Sequence, residues 1–563
     1  MNRSRLWVIG VSLLLLIPAA LYILGLAAGN PRPDYSPSTE QNAWLNPETV
    51  YHPDEFAYVG LTYRMLLNHE WNPHYFHNPS LNIYSNMIMF WAAGAQNWPH
   101  DLAYGDREIA PFALHVTARY LSALYSLLTV ALTYQTGRIA FGRRAGLIAA
   151  AAVAIAPLMV QHAHYATPNA ETTLFSTAAL LMGVIVLYGR IPARWPLWSV
   201  YGFAGLMVGL TMAARYNAVV IGLITGLAMV TAWWQHRRWL PVIVGAIMMP
   251  LGFALGTPGI VLAPREVINQ IRDILEWYRE LGGGSGFSAG RGLPSIYIHW
   301  CYVVLMSVGP GVTIAALIGL GLTLRGWRSV DRPLCWRKGW LGGMLAVYML
   351  VYTVLALPGI RLQANLLFPL VVPLALLAGY TVARLWKLRR VSQSRYARAW
   401  IAASLIVLLA WPLLVSVLFV YRVDTLDNRL KAQAWIYANI PRGTRIHLLG
   451  AYNVPIDPLD YQVQQTYKHG VLPRQLAETD IPIMVYSDAG PFVTLRDPSL
   501  SPDQFVAVEE GVRDLLENEW IELARFDRMW WPGENLPPDD VSYWHQMAIV
   551  IYCNPANCPV ERE

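Results

Sequence analysis

Residues 196–238 read PLWSVYGFAGLMVGLTMAARYNAVVIGLITGLAMVTAWWQHRR. Two apolar runs meet at Arg215, the one Lys, Arg, Asp or Glu before the Arg237-Arg238 pair. A bilayer-crossing helix needs about 17–25 mostly apolar residues, so each run is long enough to span. Outward from this pair, further runs of the same kind begin near Arg119, Ala145, Glu171, Leu240, Tyr297, Gly339, Leu362 and Trp400. Another runs from Leu6 to Ala28 behind Arg3 and Arg5. It exceeds the roughly 7–15-residue core of a signal peptide and is read as an uncleaved span. The total is about eleven spans, a mostly α, polytopic membrane helical bundle.

Composition agrees. Of 563 residues, 55% are hydrophobic and 14% charged, against roughly 25% charged in soluble proteins. The 23 Trp and 30 Tyr suit a chain anchored at two lipid–water interfaces. The net charge of +6 lies in short loops between apolar runs. With no basic face, zinc-finger spacing or aromatic RNA motif, nucleic acid is excluded as a partner, and membrane lipids are the surroundings.

Arginine and lysine gather on the cytoplasmic side of membrane proteins. Six clusters fall on alternate loops: Arg3 and Arg5; Arg143 and Arg144; Arg190 and Arg194; Arg237 and Arg238; Arg325 to Lys338; Lys387 to Arg398. That face is therefore cytoplasmic, as is the N-terminus, in a plasma or inner membrane. The apolar piece Leu81–Asn97 breaks this alternation if it spans, so it is read as an interfacial helix. The opposite face receives the first loop (29–117), the loop His162–Ala170, the segment 261–296, the turn Pro358–Arg361 and everything after about Arg422.

The chain thus divides into a transmembrane part (1–422) and an extracytoplasmic tail (423–563), read as a small α/β domain. Leu426–Asn439 and Gln504–Asn518 read as helices, and Arg445–Leu449, Ile483–Ser487 and Gln546–Tyr552 as strands. Outside the cell Cys553 and Cys558 would pair across Asn554–Asn557; two free thiols are the alternative.

Candidate chemistry concentrates in the first external loop, which carries HPDEFAY (52–58) and NPHYFHNPSL (72–81). Asp54 and Glu55 follow Pro53. The plain reading makes them first-turn helix acids favoured by the helix dipole. About 100° apart on a helix, only one need face a given site. Arg215 and Arg361 are arginines on the external side, where the charge rule does not place them. Guanidinium suits phosphate through paired, charge-assisted bonds; the alternative is that each reaches to lipid headgroups. Gly282-Gly-Gly-Ser-Gly286 lacks the Lys-Ser/Thr ending of a phosphate loop. His74, His77, His162, His164 and Glu171 fit no standard zinc spacing, so no metal and no cofactor is expected.

The Asp54-Glu55-x-x-Tyr58 element followed by Phe76-His-Asn-Pro79 resembles the GT-C superfamily, nearest to its protein O-mannosyltransferase and aminoarabinose transferase branch. Arg119–Ala123, Phe141–Gly146, His164–Asn169, Gly209–Asn217, Leu367–Leu370 and Asp424–Gly443 follow in the same order and on the same sides. The resemblance implies a polyprenyl-phosphate-linked sugar donor and an acceptor hydroxyl on protein, lipid or glycan. It implies Asp54 as the catalytic residue with Glu55 beside it, and Arg215 and Arg361 at the carrier phosphate. Tyr58, His77, Asn78, Asn169 and Glu171 would line the substrate site. Asn169 stands where the family usually has an acid, with Glu171 two residues on. His77-Asn78 and Ala57 replace a lysine and an arginine of the aminoarabinose branch, which argues against that sugar.

A single displacement at the anomeric carbon follows, with Asp54 as general base and the arginines on the leaving phosphate. A non-catalytic scaffold would need neither. A secondary transporter would show acids at span centres or an internal repeat, and neither is visible.

Overall fold

The computed structural model describes residues 16–26, 53–97, 103–104, 107–108, 112–191, 193–280, 293–328, 333–357, 364–391, 394–425, 427–450, 454–456, 459–466, 473–488, 503–530 and 547–560. Most of the expected Leu6–Ala28 span, the Gly282–Gly286 segment and Arg361 lie outside them.

The chain is a multi-span membrane protein. Among the described residues nine helices are long and apolar enough to cross a bilayer, or ten counting one bent pair. The helices are α1 (Pro53–Leu67), α2 (Leu81–Ala92), α3 (Phe112–Phe141), α4 (Arg143–Ala154), α5 (Pro157–Ala163), α6 (Asn169–Tyr188) and α7 (Leu197–Ala214). They continue with α8 (Gly222–His236), α9 (Trp239–Gly256), α10 (Pro264–Glu280), α11 (Pro310–Leu324), α12 (Pro333–Ala356), α13 (Phe368–Val391) and α14 (Arg395–Asp424). Helices α13 and α6 are 89% and 78% buried over their apolar windows and form the centre; α9, at 22%, faces lipid.

Two expectations are corrected. The run from Ala145 is a broken span: α4 and α5 meet at 57°. Pro157 has no N–H and disfavours helix in the residue before it. The carbonyl of Ile155 at the break accepts from Ser416 Oγ on α14 at 2.9 Å, as a backbone group freed inside a bilayer must be satisfied. Helix α5 also takes up His162, so the loop expected from His162 starts at His164. The run from Tyr297 divides into a short apolar helix, Leu293–Tyr302, ending in a π-turn at Val303–Ser307, and the separate span α11. Gly309 at φ +89° makes the corner.

Helices α1 and α2 pack Tyr58, Val59, Tyr63, Ile83 and Phe90 on Leu114 and Ala118 of α3, a second core above the main one. Beyond α14, only Thr425 to Asp427 precede the next helix, α15 (Asn428–Asn439). It packs on a five-stranded sheet of β1 (Arg445–Leu449), β2 (Gln462–Thr466), β3 (Ile483–Ser487), β4 (Ile521–Phe526) and β5 (Ile549–Cys553), in the order β2-β1-β3-β5-β4. β1 is parallel to β2 and β3; β5 is antiparallel to β3 and β4. Alternate strand residues point to opposite faces. Ile446, Leu448 and Val485 meet α15, while Leu449, Met484 and Tyr486 meet a helix at Asp503–Glu519. Asn428 Nδ2 donates to the carbonyls of Asp527 at 2.8 Å and Met547 at 2.9 Å. A disulfide joins Cys553 and Cys558.

Candidate active site

Pro53, Asp54 and Glu55 make the first turn of α1, where acids meet the positive end of the helix dipole. They face apart. Asp54 is exposed, whereas Glu55 is fully buried. Arg119 of α3 donates to Glu55 from Nε to Oε1 at 3.0 Å and from Nη2 to Oε2 at 2.7 Å. The backbone N–H of Ala166 adds a third bond to Oε1 at 2.7 Å, and Arg119 Nη1 reaches the Leu26 carbonyl at 3.0 Å.

The loop that holds Glu55 through Ala166 also holds Arg215. Its Nη1 donates to Asn169 Oδ1 at 2.7 Å, and Nη2 donates to Asn365 Oδ1 at 3.1 Å. Asn169 in turn donates to Thr167 Oγ1 at 3.2 Å and lies 3.0 Å from His162 Nδ1. Ala166 and Asn169 are three residues apart, a span of at most about 11 Å. The anchor of the Asp54 helix and the anchor of Arg215 are thus neighbours.

A second route joins them. Tyr58 lies one turn after Asp54, on the same face of α1. Its ring meets Tyr75 edge-on at 6.3 Å, Tyr75 lies 5.5 Å from His77, and Asn78 Nδ2 donates to the Tyr75 hydroxyl at 3.3 Å. Phe76, fully buried between these, accepts at its carbonyl from Tyr216 Oη at 2.9 Å, next to Arg215. Gln270 of α10 accepts the Phe76 N–H at 2.6 Å. His74 clasps the same loop to α10. Its Nδ1 lies 3.0 Å from Glu266 Oε1 and its Nε2 lies 2.8 Å from Glu70 Oε1. Slight burial lowers its pKa, but the two carboxylates outweigh it and leave the pKa raised.

Glu171 is not at this cluster. Two residues after Asn169, it points about 200° round α6, is fully buried, and accepts from Ser85 Oγ of α2 at 2.6 Å. His164 lies 2.7 Å from the carbonyls of both Val160 and Leu24. Among the described residues no three His, Cys, Asp or Glu converge as a metal site. Sequence reasoning did not find Asn365 or the tie of Glu55 to Arg119. The available signal for the latter was an arginine inside an apolar run, which asks for a partner.

Residues 112–258 match the family model described as dolichyl-phosphate-mannose-protein mannosyltransferase. No curated relative matches the chain by sequence. Among solved structures it resembles ArnT from Cupriavidus metallidurans in the apo state, at 14% identity over 100% of both chains with a TM-score of 0.50. ArnT from the same organism bound to undecaprenyl phosphate gives 13% identity over 98% of each chain and a TM-score of 0.48. The archaeal oligosaccharyltransferase AglB from Archaeoglobus fulgidus, in complex with an inhibitory peptide and a dolichol-phosphate, gives 10% identity over 93% of this chain and 73% of that one, with a TM-score of 0.48. The chain has the fold of the GT-C glycosyltransferases, and its residues 112–258 resemble the protein mannosyltransferases within that superfamily.

Proposed function

We propose that the chain is an inverting glycosyltransferase that moves a sugar from a polyprenyl-phosphate carrier to an acceptor hydroxyl on the extracytoplasmic face. The observation that carries this reading is the difference between two arginines. The charge of Arg119 is neutralised by Glu55. Arg215 is held in place by neutral amide and carbonyl oxygens, so its guanidinium is oriented while its charge stays available to a phosphate.

Asp54 takes the proton of the acceptor hydroxyl as that oxygen attacks the anomeric carbon. The bond from this carbon to the phosphate oxygen breaks, and the polyprenyl phosphate leaves with the electron pair, inverting the centre. Arg215 and Arg361 meet the negative charge that grows on the leaving oxygen. A preorganised donor of this kind contributes about 3–4 kcal/mol. Glu55 acts as a positioning residue that fixes the start of α1, and not as a second catalytic acid. Asn169 orients Arg215, and Tyr58, His77 and Asn78 line the approach. Glu171 braces α6 against α2. The tail stands outside the membrane, with the N-terminus inside.

Mass spectrometry of glycans and lipids from cells with the protein, without it, and with Asp54→Asn tests the reading. One glycan or glycolipid species should disappear in the last two. An unchanged profile on deleting the protein defeats it, and loss on deletion with full retention by Asp54→Asn supports a non-catalytic scaffold instead.

A further inference from the structure

On the face where the basic clusters gather, the ends of five helices, α3, α4, α11, α12 and α13, line an open cavity of about 830 Å³. Its walls present Arg143, Arg144, Arg325, Lys338, Arg384 and Lys387, and none of its described lining residues is acidic. Lys338 Nζ and Arg384 Cζ both lie over the Tyr380 ring, 5.7 and 5.6 Å from its centre. Arg143 and Arg144 occupy the first turn of α4, where no acid is present. The dipole there favours an anion and opposes two cations. So much positive charge among the described lining residues favours an anion in the open cavity.

The walls are set by backbone packing. A Cβ at Gly326 would come within 2.6 Å of the Cys335 carbonyl oxygen, and one at Gly379 within 2.5 Å of that of Ala145. Cys335 and Ala145 both line the cavity. Ile318 of α11 and Leu388 of α13 are exposed beside it, which gives acyl chains an apolar surface next to the cations.

We propose that this cavity binds the phosphate headgroup of an anionic phospholipid of the cytoplasmic leaflet. The assignment of the leaflet rests on the charge-sidedness rule and is independent of the transfer chemistry on the other face. A bound lipid would neutralise the cluster and hold the ends of α4, α11, α12 and α13 together.

The test uses delipidated full-length protein in neutral detergent. Thermal unfolding is followed against phosphatidylglycerol, phosphatidylcholine and soluble glycerol phosphate, and native mass spectrometry counts retained lipid. Phosphatidylglycerol should raise the melting temperature and the other two should not. The Arg144→Gln/Lys338→Gln/Arg384→Gln variant should need about a hundredfold more phosphatidylglycerol, at roughly fivefold per basic residue, and retain one lipid fewer. An Arg190→Gln/Arg194→Gln/Arg238→Gln control, basic residues of the same face outside the cavity, should keep the wild-type response. If the triple variant does not fold, Lys338→Gln and Arg384→Gln singly should each show the fivefold loss. Equal response of wild type and cavity variants overturns the proposal. So does equal response to phosphatidylcholine, or a full shift with glycerol phosphate, which would make the occupant a soluble anion.

Discussion

Arg119 grips Glu55 fork to fork: Nε and Nη2 each donate to a different carboxylate oxygen, and neither side chain is exposed. Breaking such a pair strands a charge away from water. Glu55→Ala should destabilise the protein by about 3–5 kcal/mol, while Glu55→Leu combined with Arg119→Met should recover much of that loss. Chemical unfolding in detergent measures both. A single variant as stable as wild type would remove Glu55 from its positioning role.

Asp54, one residue earlier, is exposed and should behave oppositely. Asp54→Asn keeps size and removes the proposed base, so transfer should fall by about 10²–10⁴-fold with the unfolding curve unchanged. Full turnover by the purified variant with its donor would end the general-base assignment.

Arg215→Ala should weaken capture of the phosphate carrier, read as binding of undecaprenyl phosphate to purified protein. Arg215→Lys should rescue it poorly, because an ammonium cannot reproduce the planar fork held by Asn169 and Asn365. Asn169→Ala and Asn365→Ala should each give a milder loss. Wild-type binding by Arg215→Ala would assign the phosphate elsewhere.

His74 ties the first loop to α10 through Glu70 and Glu266, and its pKa is raised by them. A raised folded pKa means that the charged form is favoured by folding. The contribution is therefore complete below the unfolded value of about 6.5 and is lost as pH rises through the folded one. Proteolysis between α1 and α2 should become faster on going from mildly acid to alkaline pH, and His74→Gln should abolish that dependence. A flat profile in wild type counts against the clasp.

Thiol labelling tests the orientation. In a Cys301→Ser/Cys335→Ser background, which removes the two free cysteines, an impermeant reagent should label intact cells or spheroplasts only after reduction, at Cys553 and Cys558. Protection with or without reductant would argue against both an external tail and its disulfide.

The membrane architecture was legible because long apolar runs and alternating basic loops are coarse signals. The interruptions were not. The run from Ala145 was read as one unbroken span, and only the packing on Ser416 shows how the chain continues past the break before Pro157. In the tail β1 and β3 stood out as apolar runs; β2 (QVQQT) did not, since it is a polar edge strand. At the candidate site, helical spacing showed that Asp54 and Glu55 diverge, not which one faces inward. That was decided by Arg119, 64 residues away, and sequence spacing carries no information about such a pairing.

Only three residues separate α14 from α15, and Asn428 is bonded at once into the sheet, which leaves little chain between the last span and the sheet. A shift or tilt of α14 is therefore passed to the sheet rather than absorbed in a linker.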